Sequence, residues 1–389
     1  MPADAWAPYL VAQERYEKIL ADAFRRHGPR LVDLGYANAY DGPDDVVLDA
    51  MRDAIDDDTD LSFQYTPYGG RTPTRRRIAQ SLKRRFGLPF HYRDVVLTPG
   101  AMAGLNAALR TLCGAGDEVL VLAPCWLDYP LYLAQLSIPF RFVPLTDEKR
   151  FDFEAIAAAV GPNTRAILFS HPGCPTGVVM PPADLERLAG VLAEAEQRHG
   201  GPIFVISDEA HRDVVFGGPP LRTPLEFWPR SVSVYSFGKS LFLQGQRIGY
   251  VAVAPDMPER DAVRERLTQV LRAMGLCTPT ALMQRAVVPL LDYVPRLELV
   301  AERHAMVRGE LLDAGYDVCP AEATFFVYSR CPNGDDFAFV EAMAALGVLV
   351  LPSSIFHEPG WFRISLTAKT SSIEAGLPAF RTVLETQRA

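Results

Sequence analysis

From Val95 onward the sequence repeats one pattern: a short, continuous apolar run, then a stretch with apolar residues at helical spacing. The runs are VVLT (95–98), EVLVLA (118–123), FRFVPL (140–145), AILFS (166–170), IFVIS (203–207), SVSVYSF (231–237) and YVAVA (250–254). AMAGLNAALRTL (101–112) and ADLERLAGVLAEAEQRH (183–199) are two of the helical stretches between them. A strand apolar on both sides has to be covered on both sides, and alternating helices provide that cover. The pattern therefore predicts an α/β fold: a mainly parallel seven-stranded sheet with helices on both faces. One connection breaks the rhythm. Only residues 238–249 separate the last two runs, and GQRIG (245–249) reads as a turn, so the seventh strand is expected to run antiparallel.

Outside this block the pattern changes. Residues 9–26 read as a surface helix, LVDLGYANAYDGPDD (31–45) as a loop, and about 45–55 as a second helix ending in the solvated acidic run DDDTD (56–60). Beyond residue 258, two long helical stretches (258–274 and 279–314) precede short strands at TFFVYS (324–329), VLVLP (348–352) and WFRISL (361–366) and a last helix near 371–386. The expected organisation is a large domain over 45–285 and a smaller α+β domain assembled from 1–44 and 286–389.

The bulk properties narrow the function. At 389 residues, 49% hydrophobic and 22% charged, the chain has soluble globular composition and length for two domains. A net charge of −8 argues against a nucleic-acid binder, and Arg75, Arg76 and Arg77 read as a solvated helix face. The six cysteines form no CxxC pair, so neither a metal site nor a disulfide framework is expected, and a reducing cytoplasm fits best. The first residues lack the charged and apolar regions of a secretory signal, and no run reaches the roughly 20 apolar residues of a membrane span.

The chemistry centres on SFGKSLFLQGQRIGY (236–250), which follows an apolar strand and carries Ser236, Lys239 and Arg247. Ligands in α/β sheets gather at the carboxyl ends of strands. A desolvated lysine amine can attack a carbonyl, and a hydroxyl with a guanidinium suits a phosphate. Spacing alone does not separate this from a surface lysine in a loop. The segment, however, resembles the lysine motif of class I/II aminotransferases, fold-type-I enzymes that use pyridoxal phosphate, and further motifs follow in that family's order.

The resemblance implies roles one residue at a time. Lys239 would carry pyridoxal 5′-phosphate as a Schiff base. Asp208, in ISDEAH (206–211), would pair with the pyridine nitrogen. Gly100, Ala101 and Met102, in LTPGAMAGL (97–105), would offer backbone N–H groups to the phosphate at a helix start, with Ser236 and Arg247 beside them. Trp126, in APCWLDYP (123–130), would stack on the ring, with Tyr129 an alternative for a nearby contact. Tyr65, in YTPYGGRTPTRRRIA (65–79), would reach the phosphate of a neighbouring subunit, which implies a homodimer with shared sites. Arg363, in WFRISLTA (361–368), would clamp the substrate α-carboxylate, and Gly35 would lie in the loop that closes over it. Tyr36, Asn38, Tyr68 and His171 are pocket candidates by proximity to these motifs.

Three positions, in two motifs, depart from the family pattern. In HPGCPTG (171–177), His171 and Cys174 stand where asparagines are expected, and His211 stands where a tyrosine is expected. Cys174 and His211 thus replace both usual donors to the cofactor's phenolic oxygen, and a thiol is a weak donor. The resemblance implies an enzyme that forms a carbanion at the α-carbon of an amino acid and passes the amino group to a keto acid. The altered donors leave a second reading open: β/γ-elimination, replacement or cyclisation in a natural-product pathway. A regulator that only senses an amino acid would need a DNA-binding domain before residue 30, where there is no room for one. The substrate side chain is not legible at this level.

Overall fold

The chain is described here from a computed structural model, which covers residues 6–38, 41–57, 63–218 and 220–388; residues 58–60 of the acidic run fall outside them. The apolar runs are strands of one seven-stranded sheet. Across it the order is Val95–Thr98, Gly249–Val253, Ser231–Ser236, Phe204–Asp208, Thr164–Ser170, Glu118–Ala123 and Phe140–Pro144. Every pairing is parallel except those of Gly249–Val253, which runs antiparallel to both neighbours. The short link before it leaves space only for the single turn Phe237–Ser240 and a 3-10 turn at Gln244–Gln246. The edge strand Phe140–Pro144 is largely solvent-facing, whereas Val95–Thr98 and Ser231–Ser236 are buried throughout.

Helix Ala101–Leu112 lies close against the sheet because Gly104 faces it: a Cβ there would stand 2.7 Å from Val234 and 3.2 Å from Val251. Its side chains Leu105 and Leu109 join Leu97, Val234, Val251 and Leu267 in the main core. A second core gathers Tyr16 and Leu34 from the N-terminal segment with Phe339, Phe362 and Phe380.

Three expectations need correction. The stretch 279–314 is not one helix but two, Ala281–Ala286 and Glu298–Ala314, because Pro289 and Pro295 forbid continuous backbone bonding between them. The stretch 348–352 divides into Val348–Leu349 and Leu351–Pro352, which pair in different sheets. The segment 31–45 is not all loop: Val32–Asp33 pairs in parallel with Val348–Leu349. Leu351–Pro352 instead joins Trp361–Ser365, which is flanked on its other side by Phe326–Arg330. These pairings bring Gly35, just past Val32–Asp33, against Arg363 on Trp361–Ser365.

Candidate active site

The parallel strands Thr164–Ser170, Phe204–Asp208 and Ser231–Ser236 end side by side, so Ser170, Asp208 and Ser236 share one rim of the sheet. The rim opens into a cavity of about 360 Å³. Ser236 caps the turn beyond its strand by accepting from the Gly238 N–H at 3.2 Å, and Lys239 follows within that turn. Lys239 and Asp208 both line the cavity. Burial pushes the Lys239 ammonium below its ordinary pKa, reinforced by Arg363 and Arg247 and opposed by Cys174 and Asp208.

Asp208 is buried and doubly held: the Tyr129 hydroxyl donates to one carboxylate oxygen at 2.8 Å and the Ala210 N–H to the other at 3.1 Å. Burial raises its pKa, and these two donors pull it back. Such a carboxylate is suited to a cationic ring nitrogen, which would supply the missing counter-charge. Tyr129 is therefore the part of the Asp208 arrangement that the sequence reading placed only as a nearby contact. Its signal was its position three residues after Trp126.

At the opposite corner, Gly100 caps helix Ala101–Leu112 with φ 81°, a left-handed conformation that favours glycine. A Cβ there would stand 2.8 Å from Nη2 of Arg247. Helix start, guanidinium and the Ser236 rim thus form one anion-binding corner, with Ala101, Met102, Ser236 and Arg247 all lining the cavity. Trp126 lines it too and packs against the cluster of Cys174, Phe325 and Phe326.

Arg363 faces this corner across the cavity. Its Nη2 donates to the Gly35 carbonyl at 2.8 Å, and its guanidinium lies 4.1 Å from the Phe326 ring centroid. Nε and Nη1 have no oxygen or nitrogen partner, with the Cys174 sulfur beside them. Burial lowers the Arg363 pKa to about 10, Cys174 and the tyrosines Tyr16 and Tyr36 opposing. A buried guanidinium with free donors calls for an anion.

Of the three departures from the family pattern, Cys174 and His211 line the cavity. The Cys174 thiol is pushed up to about 11 by burial, with Arg363 and Lys239 pulling the other way, so it stays protonated at neutral pH. Its backbone N–H donates to Ser170 Oγ at 2.9 Å. His211 packs edge-on to Phe325 and Phe326, and its Nε2 is buried without a partner. Burial, with Lys239 and Arg363 adding to it, holds its pKa well below the ordinary histidine value, so the imidazole is neutral.

Not every candidate converges. Tyr65 is fully exposed and does not line this chain's cavity. Of the pocket candidates, Tyr36 lines the cavity, but His171 turns its Nε2 to the Arg222 carbonyl at 2.9 Å. Tyr68 lies 5.0 Å from the Arg272 guanidinium, and Asn38 is exposed. Tyr16, read only as part of a surface helix, is fully buried with its hydroxyl at the cavity. Its signal was the apolar stripe of Ala12, Tyr16, Ile19, Leu20 and Ala23, at helical spacing.

The profile of aminotransferase class I and II matches residues 30–377. The chain belongs to the class I and II aminotransferases. Among similar proteins of this family, a probable aspartate/prephenate aminotransferase of Rhizobium leguminosarum bv. phaseoli is 28% identical, aligned over 91% of each chain. A methionine aminotransferase of Escherichia coli (strain K12) is 30% identical over 75% of this chain and 76% of its own. An aminotransferase structure from Eubacterium rectale superposes with a TM-score of 0.91 at 25% identity, covering 97% of this chain and 96% of that one. This aminotransferase uses pyridoxal phosphate, and the donor set fits that group: an anion corner, an amine, a buried carboxylate and an unpartnered imidazole nitrogen converge on one cavity.

Proposed function

We propose that this aminotransferase takes the amino group of an α-amino acid and delivers it to a keto acid, with Lys239 and Asp208 as its catalytic residues. The observation that carries the reading is the placement of Lys239 and Asp208 on adjacent strand ends, with the unpartnered donors of Arg363 across the same cavity. When bound, pyridoxal phosphate supplies an aldehyde that condenses with amines and a ring that accepts the electron pair left at the substrate's α-carbon.

The protein's own groups do the rest. Ala101 and Met102 offer helix-start N–H groups to the phosphate, with Ser236 and Arg247 completing its shell, whereas the N–H of Gly100 is taken by the Thr98 carbonyl at 2.7 Å. Asp208, held by Tyr129, balances the charge of the pyridine nitrogen. Trp126 covers the ring face. Arg363 grips the α-carboxylate through Nε and Nη1 while Gly35 fixes its third nitrogen. Lys239, favoured as a neutral amine by burial, would remove the α-proton and return it to the cofactor carbon on the other side of the shared nitrogen. Cys174 and His211, which line the cavity, would be the donors to the phenolic oxygen, the first a weak thiol and the second a neutral imidazole.

The relatives named above act on aspartate, prephenate or methionine by their names, and all are aminotransferases, which favours transfer over elimination or cyclisation. We further place the division between a large unit at 45–285 and a small one from 1–44 and 286–389. The shared core of Tyr16, Leu34 and Phe362 supports it. A homodimer is supported by the full exposure of Tyr65, which is then free to enter a neighbour's site. The free state of all six cysteines supports a cytoplasmic location, and among the described residues no helix is long and apolar enough to cross a membrane.

The test is Lys239→Ala. Purified with pyridoxal phosphate, the variant is expected to lose the cofactor's lysine-dependent visible band and to slow amino transfer by at least about 10²–10⁴-fold, the worth of a positioned base. Retention of band and rate would refute the assignment.

A further inference from the structure

The part of the cavity beyond Arg363 has a definite chemistry. Its side nearest the N-terminal helix Ala7–His27 carries Gln13 and Tyr16, one helical turn apart, with Tyr36 beside Tyr16. Tyr16 and Tyr36 meet edge-on with ring centroids 6.1 Å apart. The remaining surface is apolar: Phe326, Leu351 and Ile355 are all at least nine-tenths buried.

Positive charge from its own chain is what the region lacks. Among the described residues the cationic side chains lining the cavity are Lys239, Arg247 and Arg363. The first two stand at the cofactor corner and the third is committed to the α-carboxylate. Residues 1–5, 39–40 and 58–62 contain no lysine or arginine that could add another. The acidic residue at this end, Asp128, would repel a second carboxylate; burial raises its pKa against donors from Tyr132 and Trp126. An acidic side chain placed here would be desolvated without a counter-ion, which an apolar wall does not tolerate.

Tyr16 adds an independent observation. Its hydroxyl is fully buried and has no hydrogen-bond partner in the protein. It stands directly over Gly35, where any side chain would collide with it, and Gly35 is the residue whose carbonyl holds Arg363. Burial raises the Tyr16 pKa, so the hydroxyl keeps its proton. A buried donor beside an arginine with free donors points to a shared anionic ligand.

We propose that the site selects α-amino acids with bulky, uncharged side chains, aromatic or long aliphatic, and that the Tyr16 hydroxyl is a further donor to their α-carboxylate. The Tyr16 and Tyr36 rings then form one wall of the side-chain pocket and Phe326, Leu351 and Ile355 the other. The inference rests on the aminotransferase reading, so its test separates the two.

The holoenzyme is mixed in separate single-turnover experiments with phenylalanine, methionine, leucine, aspartate, glutamate and lysine, following loss of the cofactor's visible band. At least one neutral amino acid is expected to react about a hundredfold faster than aspartate, glutamate or lysine. In parallel, equilibrium titration with 3-phenylpropionate and succinate, which lack an amino group, is expected to show the aromatic acid binding tighter. A preference for aspartate, glutamate or succinate would overturn the proposal while leaving the aminotransferase reading intact, since a neighbouring subunit would then supply the cation. Faster reaction of lysine would overturn it as well. Failure of every amino acid to change the band would remove both. For Tyr16→Phe, KM is expected to rise about tenfold for every accepted amino acid, with kcat within about twofold and the order of preference kept. An unchanged KM, with 3-phenylpropionate binding also unchanged, would remove Tyr16 from carboxylate recognition.

Discussion

Tyr129 shows how much of this site depends on single polar atoms. Its hydroxyl donates to a buried carboxylate, a contact of the charge-assisted kind worth about 1.5–3 kcal/mol. Tyr129→Phe is therefore expected to lower kcat/KM about tenfold or more, with the Asp208 carboxyl pushed further toward its neutral form; steady-state kinetics across pH checks this. Cys174 offers the opposite experiment. A good donor to the cofactor's phenolic oxygen stabilises the oxyanion and weakens its hold on the proton of the adjacent nitrogen. Cys174→Asn, which exchanges a weak donor for a strong one, should move the pH midpoint of the visible band down by about one unit. A spectrophotometric pH titration of both proteins reads the shift, and a midpoint that stays fixed or rises removes Cys174 from that role. His211 stands where the family pattern has a tyrosine. Its burial beside Lys239 and Arg363 keeps it uncharged, so it serves as a neutral imidazole.

Helix Ala101–Leu112 has its position set by the contact of Gly104 with Val234 and Val251. Gly104→Leu forces a full side chain into that contact, and overpacking of this kind costs typically about 1–3 kcal/mol. Thermal denaturation should show a lowered Tm, together with weaker cofactor binding as the helix start moves off the phosphate corner. Helix Glu298–Ala314 carries a pH response. Burial, with Arg308 nearby, lowers His304 from 6.5 to about 4. Between those values the unfolded chain binds a proton that the folded chain refuses, so stability falls as pH drops from about 6.5 to about 4. The loss is roughly 1–3 kcal/mol, and His304→Phe should flatten that limb of a Tm-against-pH curve. At this scale the sequence was most legible where burial is two-sided. The central strands are rich in apolar residues on both faces, so their runs announced themselves, as did the antiparallel strand through its short link. The two-residue strand at 32–33, and the division of 348–352 into 348–349 and 351–352, were hidden because pairing over so short a length leaves no periodicity. The helix break at Ala286 could have been read from Pro289 and Pro295.

Across the whole molecule, the candidate cofactor residues that line the cavity were legible because their motifs follow strand ends, where local sequence and position coincide. Tyr16 was not, since what brings it to the cavity is the packing of the N-terminal helix among residues 300 or more positions away, such as Phe339 and Phe362. Tyr65 belongs to this scale too, exposed on its own chain and proposed to act in the site of a second copy. Subunit complementation tests that: Lys239→Ala and Tyr65→Ala proteins, unfolded together and refolded, should give activity above either parent, because hybrid dimers contain one site with neither change. No gain on mixing would argue that each chain completes its own site. The antiparallel strand Gly249–Val253 has a last consequence. Gly249 is paired on one side with Thr98, next to the helix start, and on the other with Ser236, next to Lys239. It acts as a spacer bar that sets the gap between the grip on the phosphate and the amine that reaches the aldehyde. Insertions and deletions should thus be tolerated across the surface loops of this protein's descendants and be lethal to function between Ser236 and Gly249, where adding one residue changes the length of the reach itself.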